Sequence, residues 1–121
     1  MPHCILEASD KLLDQPDWAG LLREINGALV ATGLFVAADI KSRCLRHSLF
    51  AIGDGAADQA FVTLNVQILG GRTDEVKAQL SEALLQVLTP AFPRTLGQMR
   101  CSLTVQITDI HRPSYRRQIS Y

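Results

Sequence analysis

The chain has 121 residues, 47% of them apolar and 20% charged, and its twelve Lys and Arg balance its twelve Asp and Glu. This fits one domain over residues 1–121 with a core of its own, and the absence of a basic excess argues against nucleic acid or a membrane surface as partner. No stretch reaches the roughly 20 apolar residues of a membrane span, and no basic, apolar leader opens the chain. Cys4, Cys44 and Cys101 are odd in number, far apart and without a CxxC pair, so reduced thiols within strands and a cytoplasmic setting are expected.

Residues 2–8 read as a strand, with Cys4, Leu6 and Ala8 on one face and His3, Ile5 and Glu7 on the other. A helix is predicted from about Asp17 to Thr32, where Trp18, Leu21, Leu22, Ile25 and Leu29 recur at helical spacing. Gly33 suits the left-handed residue that follows a helix. A second strand is expected over roughly Ile40 to Ile52, and Gly53-Asp54-Gly55 marks a turn. The third strand, Phe61 to Ile68, alternates Val62, Leu64, Val66 and Ile68 with Phe61, Thr63, Asn65 and Gln67. Next comes a helix with Thr73 as cap, a stripe of Val76, Leu80, Ala83, Leu84, Val87 and Leu88, and Pro90 as its end. The last strand spans about Ser102 to Ile110.

The order is β-α-β followed by β-α-β, without sequence identity between the halves. An α+β fold is expected: a two-layer sandwich with a four-stranded mixed sheet and both helices on one face. The other face of the third and fourth strands carries Thr63, Asn65, Gln67, Ser102, Thr104, Gln106 and Thr108, with no Lys or Glu. Uncharged polar residues suit burial against other subunits, because they can be hydrogen-bonded without desolvating an ion. A solvated, Thr-rich face is the alternative.

No metal-ligand cluster, nucleophile elbow or phosphate loop is present, and His3, His47 and His111 are scattered. Gly70-Gly71 before Arg72 suits a loop entering a helix. The basic tail, Arg112, Arg116 and Arg117, reads as a solvated end. What remains is Pro2, which starts a strand at the amino terminus. Freed of Met1, it is a secondary amine, and burial with nearby cations lowers the pKa of such a group below its ordinary ~7.7–8.0. It could then act as a general base. Lys41, Arg43 and Arg72, at strand and helix ends, are the candidates to hold an acidic substrate and stabilise an enolate.

Several segments, in order along the chain, carry a family resemblance: Met1-Pro2-His3, Glu7 with Ser9-Asp10, Ala31-Thr32-Gly33 with Phe35, Ile40-Lys41-Ser42-Arg43, Asp54-Gly55, Ala60-Phe61-Val62 and Gly71-Arg72. Together they resemble the 5-carboxymethyl-2-hydroxymuconate isomerase family of the tautomerase superfamily. The resemblance implies a homotrimer with active sites near subunit boundaries, Pro2 as the catalytic base, and substrate-binding cations at positions 41 and 72. The implied reaction is ketonisation of an unsaturated 2-hydroxy dicarboxylate in aromatic-compound catabolism, with no metal and no cofactor. The chain departs from the pattern at Lys41, where the family has Arg. The charge remains but the two-pronged grip on a carboxylate is lost, and Arg43 is the expected compensation. Two rivals share this reading of the elements: a ferredoxin-like small-molecule-binding module, and a tautomerase scaffold that only binds.

Overall fold

The computed structural model describes residues 1–121. Strand β1 (His3–Ser9) leads to helix α1 (Trp18–Ala31) and strand β2 (Lys41–His47). The second half runs from β3 (Gln59–Leu69) through α2 (Asp74–Leu88) and a short helix, α3 (Pro93–Gln98), to β4 (Arg100–Ile110). The helix starts have side-chain caps: Asp17 accepts from the Gly20 N–H and Thr73 from the Val76 N–H. Gly33, at φ 77°, takes the left-handed position after α1.

The sheet order is β2-β1-β3-β4. β1 pairs parallel to β2, β3 pairs parallel to β4, and β1 meets β3 antiparallel at the centre. Each β-α-β unit therefore places its two strands side by side. A ferredoxin-like fold splits each such unit around another strand, so that rival is excluded by topology. The predicted two-layer α+β sandwich is the fold observed.

Both helices cover one face. Leu21, Ile25 and Leu29 of α1 and Leu80, Leu84 and Leu88 of α2 are buried. They share one core with Cys4, Leu6, Ala8, Val62, Leu64, Val66 and Ile68 from the central strands. Of the three thiols only Cys4 is buried; Cys44 and Cys101 lie on the two edge strands and stay half-exposed.

Several boundaries differ from expectation, and β3 starts two residues early, at Gln59. β2 stops at His47 instead of reaching Ile52, because its one partner, β1, ends at Ser9 opposite His47. Beyond that point no ladder remains to extend, and Leu49 is 95% exposed. Pro90 does end α2, but a 3₁₀ turn over Thr89–Ala91 then leads into α3, and β4 starts two residues early, at Arg100.

The open face of the sheet has two halves. Over Thr63–Gln67 and Ser102–Thr108 it is polar and uncharged, with Arg100 and Phe61 at one end; Thr104 donates to Thr63 Oγ1 at 2.8 Å and Thr108 to Asn65 Oδ1 at 2.7 Å. On β1 and β2 it carries Lys41, Arg43 and a Glu7–His47 pair at 2.9 Å. Leu64 sits at the centre of the core, 0% exposed. Replacing it with Ala should lower unfolding free energy by about 2–5 kcal/mol through lost burial and a cavity. Urea unfolding measures this, and a loss under about 1 kcal/mol would contradict the central place given to β1 and β3.

Candidate active site

The sheet fixes the amino terminus. The Pro2 ring is fully buried and its carbonyl accepts from the Lys41 N–H at 3.1 Å. His3, the next residue, is paired on both sides, with Lys41 and with Gln67. A terminus held this way at a central strand does not fray. Met1 extends from it, half-buried, and its ammonium donates to the Asp39 carbonyl at 2.8 Å.

Two cavities flank Met1. One, of about 200 Å³, has an apolar wall of Leu34, Phe35, Ile68 and Leu69 and carries the guanidinium groups of Arg72 and Arg112. The other, of about 320 Å³, is lined by Leu69, Tyr115 and Arg117; Met1 and Asp39 border both. Other grooves lie between α1 and the end of α2, and beside the first residues of β3 and β4. Neither holds the amino terminus or more than one cation.

Local geometry brings each cation in. Gly71, at φ 121°, has a backbone that side-chain-bearing residues rarely adopt, and it turns the chain after β3. Arg72 then lies over the Phe35 ring, 5.6 Å from its centroid, and donates to the Leu34 carbonyl at 3.5 Å. Lys41 Nζ donates to the Asp39 carbonyl at 3.0 Å. The tail returns because β4 runs alongside β3 to its end, where Gly70 N–H donates to Ile110 O at 3.1 Å. A 3₁₀ turn over Arg112–Ser114 follows, and Arg112 Nε donates to the Gly70 carbonyl at 3.1 Å. Arg117 Nη1 meets Asp39 Oδ1 at 3.2 Å.

The structure thus gathers Pro2, Lys41 and Arg72 at one end of the sheet. Neither Lys41 nor Arg43 lines either cavity, but Lys41 is tied to the terminus through Asp39, whereas Arg43 stands apart, exposed on the open face opposite Ile5. The reading of the tail as a solvated end is corrected, since Arg112 and Arg117 both line the cavities at the amino terminus. Asp39 was also missed. Its carbonyl accepts from the ammonium and from Lys41 while its carboxylate holds Arg117, and a backbone acceptor leaves no mark in a sequence.

The electrostatics disfavour the charged form of the Met1 amine. Burial lowers the pKa of the terminal amine from its ordinary 8.0; Lys41 and Arg117 act in the same direction, and Asp39 opposes them. His3 is also held low, first by burial and then by the ammonium, Arg43 and Lys41. Its Nε2 lies 3.5 Å from the Tyr115 hydroxyl.

A mixed sheet of two β-α-β units, with its amino terminus in a basic pocket, defines a member of the tautomerase superfamily. A model of the 5-carboxymethyl-2-hydroxymuconate isomerase family matches residues 2–119. The 5-carboxymethyl-2-hydroxymuconate Delta-isomerase of Escherichia coli is 32% identical over 111 residues, which are 92% of this chain and 88% of that protein. A solved 5-carboxymethyl-2-hydroxymuconate isomerase from Deinococcus radiodurans R1 is 34% identical with a TM-score of 0.89, covering 97% of this chain and 88% of that one. A fused 4-OT symmetric trimer shares the fold alone, at 22% identity and a TM-score of 0.70, over 89% of this chain and 85% of that one. The chain belongs to the 5-carboxymethyl-2-hydroxymuconate isomerase family, and it is an isomerase.

The pocket makes a prediction about the amine itself. In protein that keeps Met1, amine-selective acylation should show a midpoint below pH 8.0, because the charged form is disfavoured. Lys41→Gln removes one lowering influence and should move the midpoint up. An ordinary midpoint, unchanged by this substitution, would contradict the electrostatic reading.

Proposed function

We propose that the chain, once Met1 is removed, catalyses enol–keto conversion of an unsaturated 2-hydroxy polycarboxylate such as 5-carboxymethyl-2-hydroxymuconate, in aromatic-compound catabolism. The Pro2 amine is the general base. The observation that carries this reading is the position of the amino terminus: it is pinned by the central strand and enclosed by Lys41, Arg72, Arg112 and Arg117.

In the reaction, the neutral Pro2 nitrogen takes the proton of the dienol hydroxyl. The oxygen keeps the bonding pair and forms the carbonyl, while the conjugated double bonds shift along the chain. The ammonium then returns a proton to a carbon further along, leaving an unsaturated ketone. Only a proton moves, so the step balances without a metal or cofactor. Cations beside the base stabilise the enolate and hold the flanking carboxylates. Lys41 and Arg72 are the substrate-binding residues of this reading. Arg43 adds positive potential near His3 but no direct grip within one subunit.

Removal of Met1 is essential to the mechanism, because the nitrogen of Pro2 is an amide while Met1 is attached. It also vacates the space between the two cavities that Met1 borders. Assembly as a homotrimer, through the uncharged polar face of β3 and β4, completes the proposal. Hydroxyl and amide groups there are already paired with one another, so the face can be buried without stranding a charge. A cytoplasmic setting, which keeps its three free thiols reduced, agrees with this.

Pro2→Ala should lower kcat/KM for the dienol by about 10²–10⁴-fold, the usual contribution of a positioned base. The neutral amine is the active form, so kcat/KM of the processed enzyme should rise with pH along an acid limb whose midpoint lies below ~8. Around the Met1 amine, burial acts first, then Lys41 and Arg117 lower its pKa while Asp39 and Cys4 raise it. The same surroundings should set this limb; His3, Arg72, Arg112 and Tyr115 also face the terminus. Ultraviolet assays on protein whose intact mass confirms loss of Met1 measure both. Full activity in Pro2→Ala, or in chains that retain Met1, would overturn the reading.

A further inference from the structure

A substrate of the class proposed above carries acid groups at separate points: muconate has two carboxylates, and a carboxymethyl substituent adds a third. One site of positive charge cannot grip them all. Arg72 and Arg112 share the smaller cavity, where Arg112 Nε is already occupied by the Gly70 carbonyl. The cavity on the other side of Met1 needs its own cation; Lys41 lines neither cavity, and as a lysine it offers a point charge without a fork.

We propose that Arg117, recruited from the tail, is the second carboxylate-binding residue of this enzyme and supplies the fork that Lys41 lacks. The proposal rests on the reading of the chain as a polycarboxylate tautomerase. Three observations support it. Arg117 lines the second cavity, together with Tyr115, while Arg43, the other candidate to make good the loss at position 41, does not. Arg117 and Lys41 converge on a single residue, Asp39, through its carboxylate and its carbonyl, at 3.2 and 3.0 Å. The Arg117 side chain is 42% exposed and engages Asp39 through one nitrogen, which leaves its other donors without a protein partner.

Asp39 therefore acts as a positioning residue. It keeps the tail arginine at the rim of the cavity with one hydrogen bond and leaves the rest of the fork for substrate. The electrostatics agree, since Arg117 is among the cations that depress the amine pKa whereas Arg43 is not. An acid group bound there would lie across the amino terminus from one bound by Arg72. The base would then stand between the two carboxylates of a conjugated chain. Arg116, its neighbour, folds back on the carbonyls of Pro113 and Tyr115 and lines neither cavity.

The test compares Arg117→Ala, Arg117→Lys and Arg116→Ala in processed, full-length protein. Calorimetric binding of tricarballylate, a non-reacting tricarboxylate, should weaken roughly fivefold or more in Arg117→Ala, the range of a partly exposed charge-assisted contact. Arg117→Lys should recover part of the loss, and Arg116→Ala, which removes the same charge one residue away, should match the parent. Binding of phenylacetate, with one acid group, should change less than tricarballylate binding in every variant. Where the dienol is turned over, Arg117→Ala should raise its KM more than it lowers kcat. Equal tricarballylate binding in Arg117→Ala and Arg116→Ala overturns the proposal, and so does an equal loss for the mono- and tricarboxylate. Binding is read without turnover, so a failure of the isomerase reading is registered separately, by a processed parent that binds tricarballylate but leaves the dienol unchanged.

Discussion

Everything at the candidate site depends on the double pairing of β1. A strand at the edge of a sheet, or one that began several residues into the chain, would leave the amino terminus in water. Here His3 is clamped between Lys41 and Gln67, and the Pro2 carbonyl closes one more bond to the Lys41 backbone. Proline has no N–H to contribute to a ladder, so it can lead a strand without leaving a donor unsatisfied. The same hydrogen bonds that hold the core thus fix the position of a single nitrogen. An ordered amine is the first requirement of a terminal base, because effective proton transfer depends on reach and orientation before it depends on pKa.

The second requirement is a basic pocket around the amine, and it is assembled from distant parts of the chain. Lys41 comes from β2, Arg72 from the loop after β3, and Arg112 and Arg117 from the segment beyond β4. The parallel pairing of β3 with β4 is what brings the last two in, since it delivers Ile110 next to Gly70. Four positive groups around one site would repel one another if they were only solvated. Asp39 offsets this by taking Lys41 on its carbonyl and Arg117 on its carboxylate, and Arg72 is steadied by the Phe35 ring. A formally neutral protein thereby presents a locally basic pocket.

The regular elements were legible because each carries a period. Val62, Leu64, Val66 and Ile68 alternate, and Leu80, Leu84 and Leu88 recur every fourth residue; all are buried where those periods place them. The failures have a common cause. Leu49, Phe50 and Ile52 continue the apolar character of β2, but whether a strand continues is decided by its partner, and β1 has already turned away at Ser9. The short helix that starts at Pro93 has only six residues, too few to show a period. The site divides in the same way. Pro2 stood out through its chemistry and the family likeness, and Lys41 and Arg72 followed from them. Arg112 and Arg117 resembled any basic tail, because only the register of β3 with β4 shows where that tail returns. The contribution of Asp39 is made partly by a carbonyl, which every residue possesses.

The central claim concerns the protonation of one nitrogen, and it can be observed without any substrate. Chains freed of Met1 and labelled with ¹⁵N-proline allow the Pro2 amine to be followed by NMR as pH is varied. The Met1 amine, one residue further out, is lowered by burial, Lys41 and Arg117; the Pro2 amine should likewise titrate in a single step below the ~7.7–8.0 of an ordinary terminal amine and move upward when Lys41 or Arg117 loses its charge. A Pro2 nitrogen that titrates in the ordinary range and ignores both substitutions would contradict it.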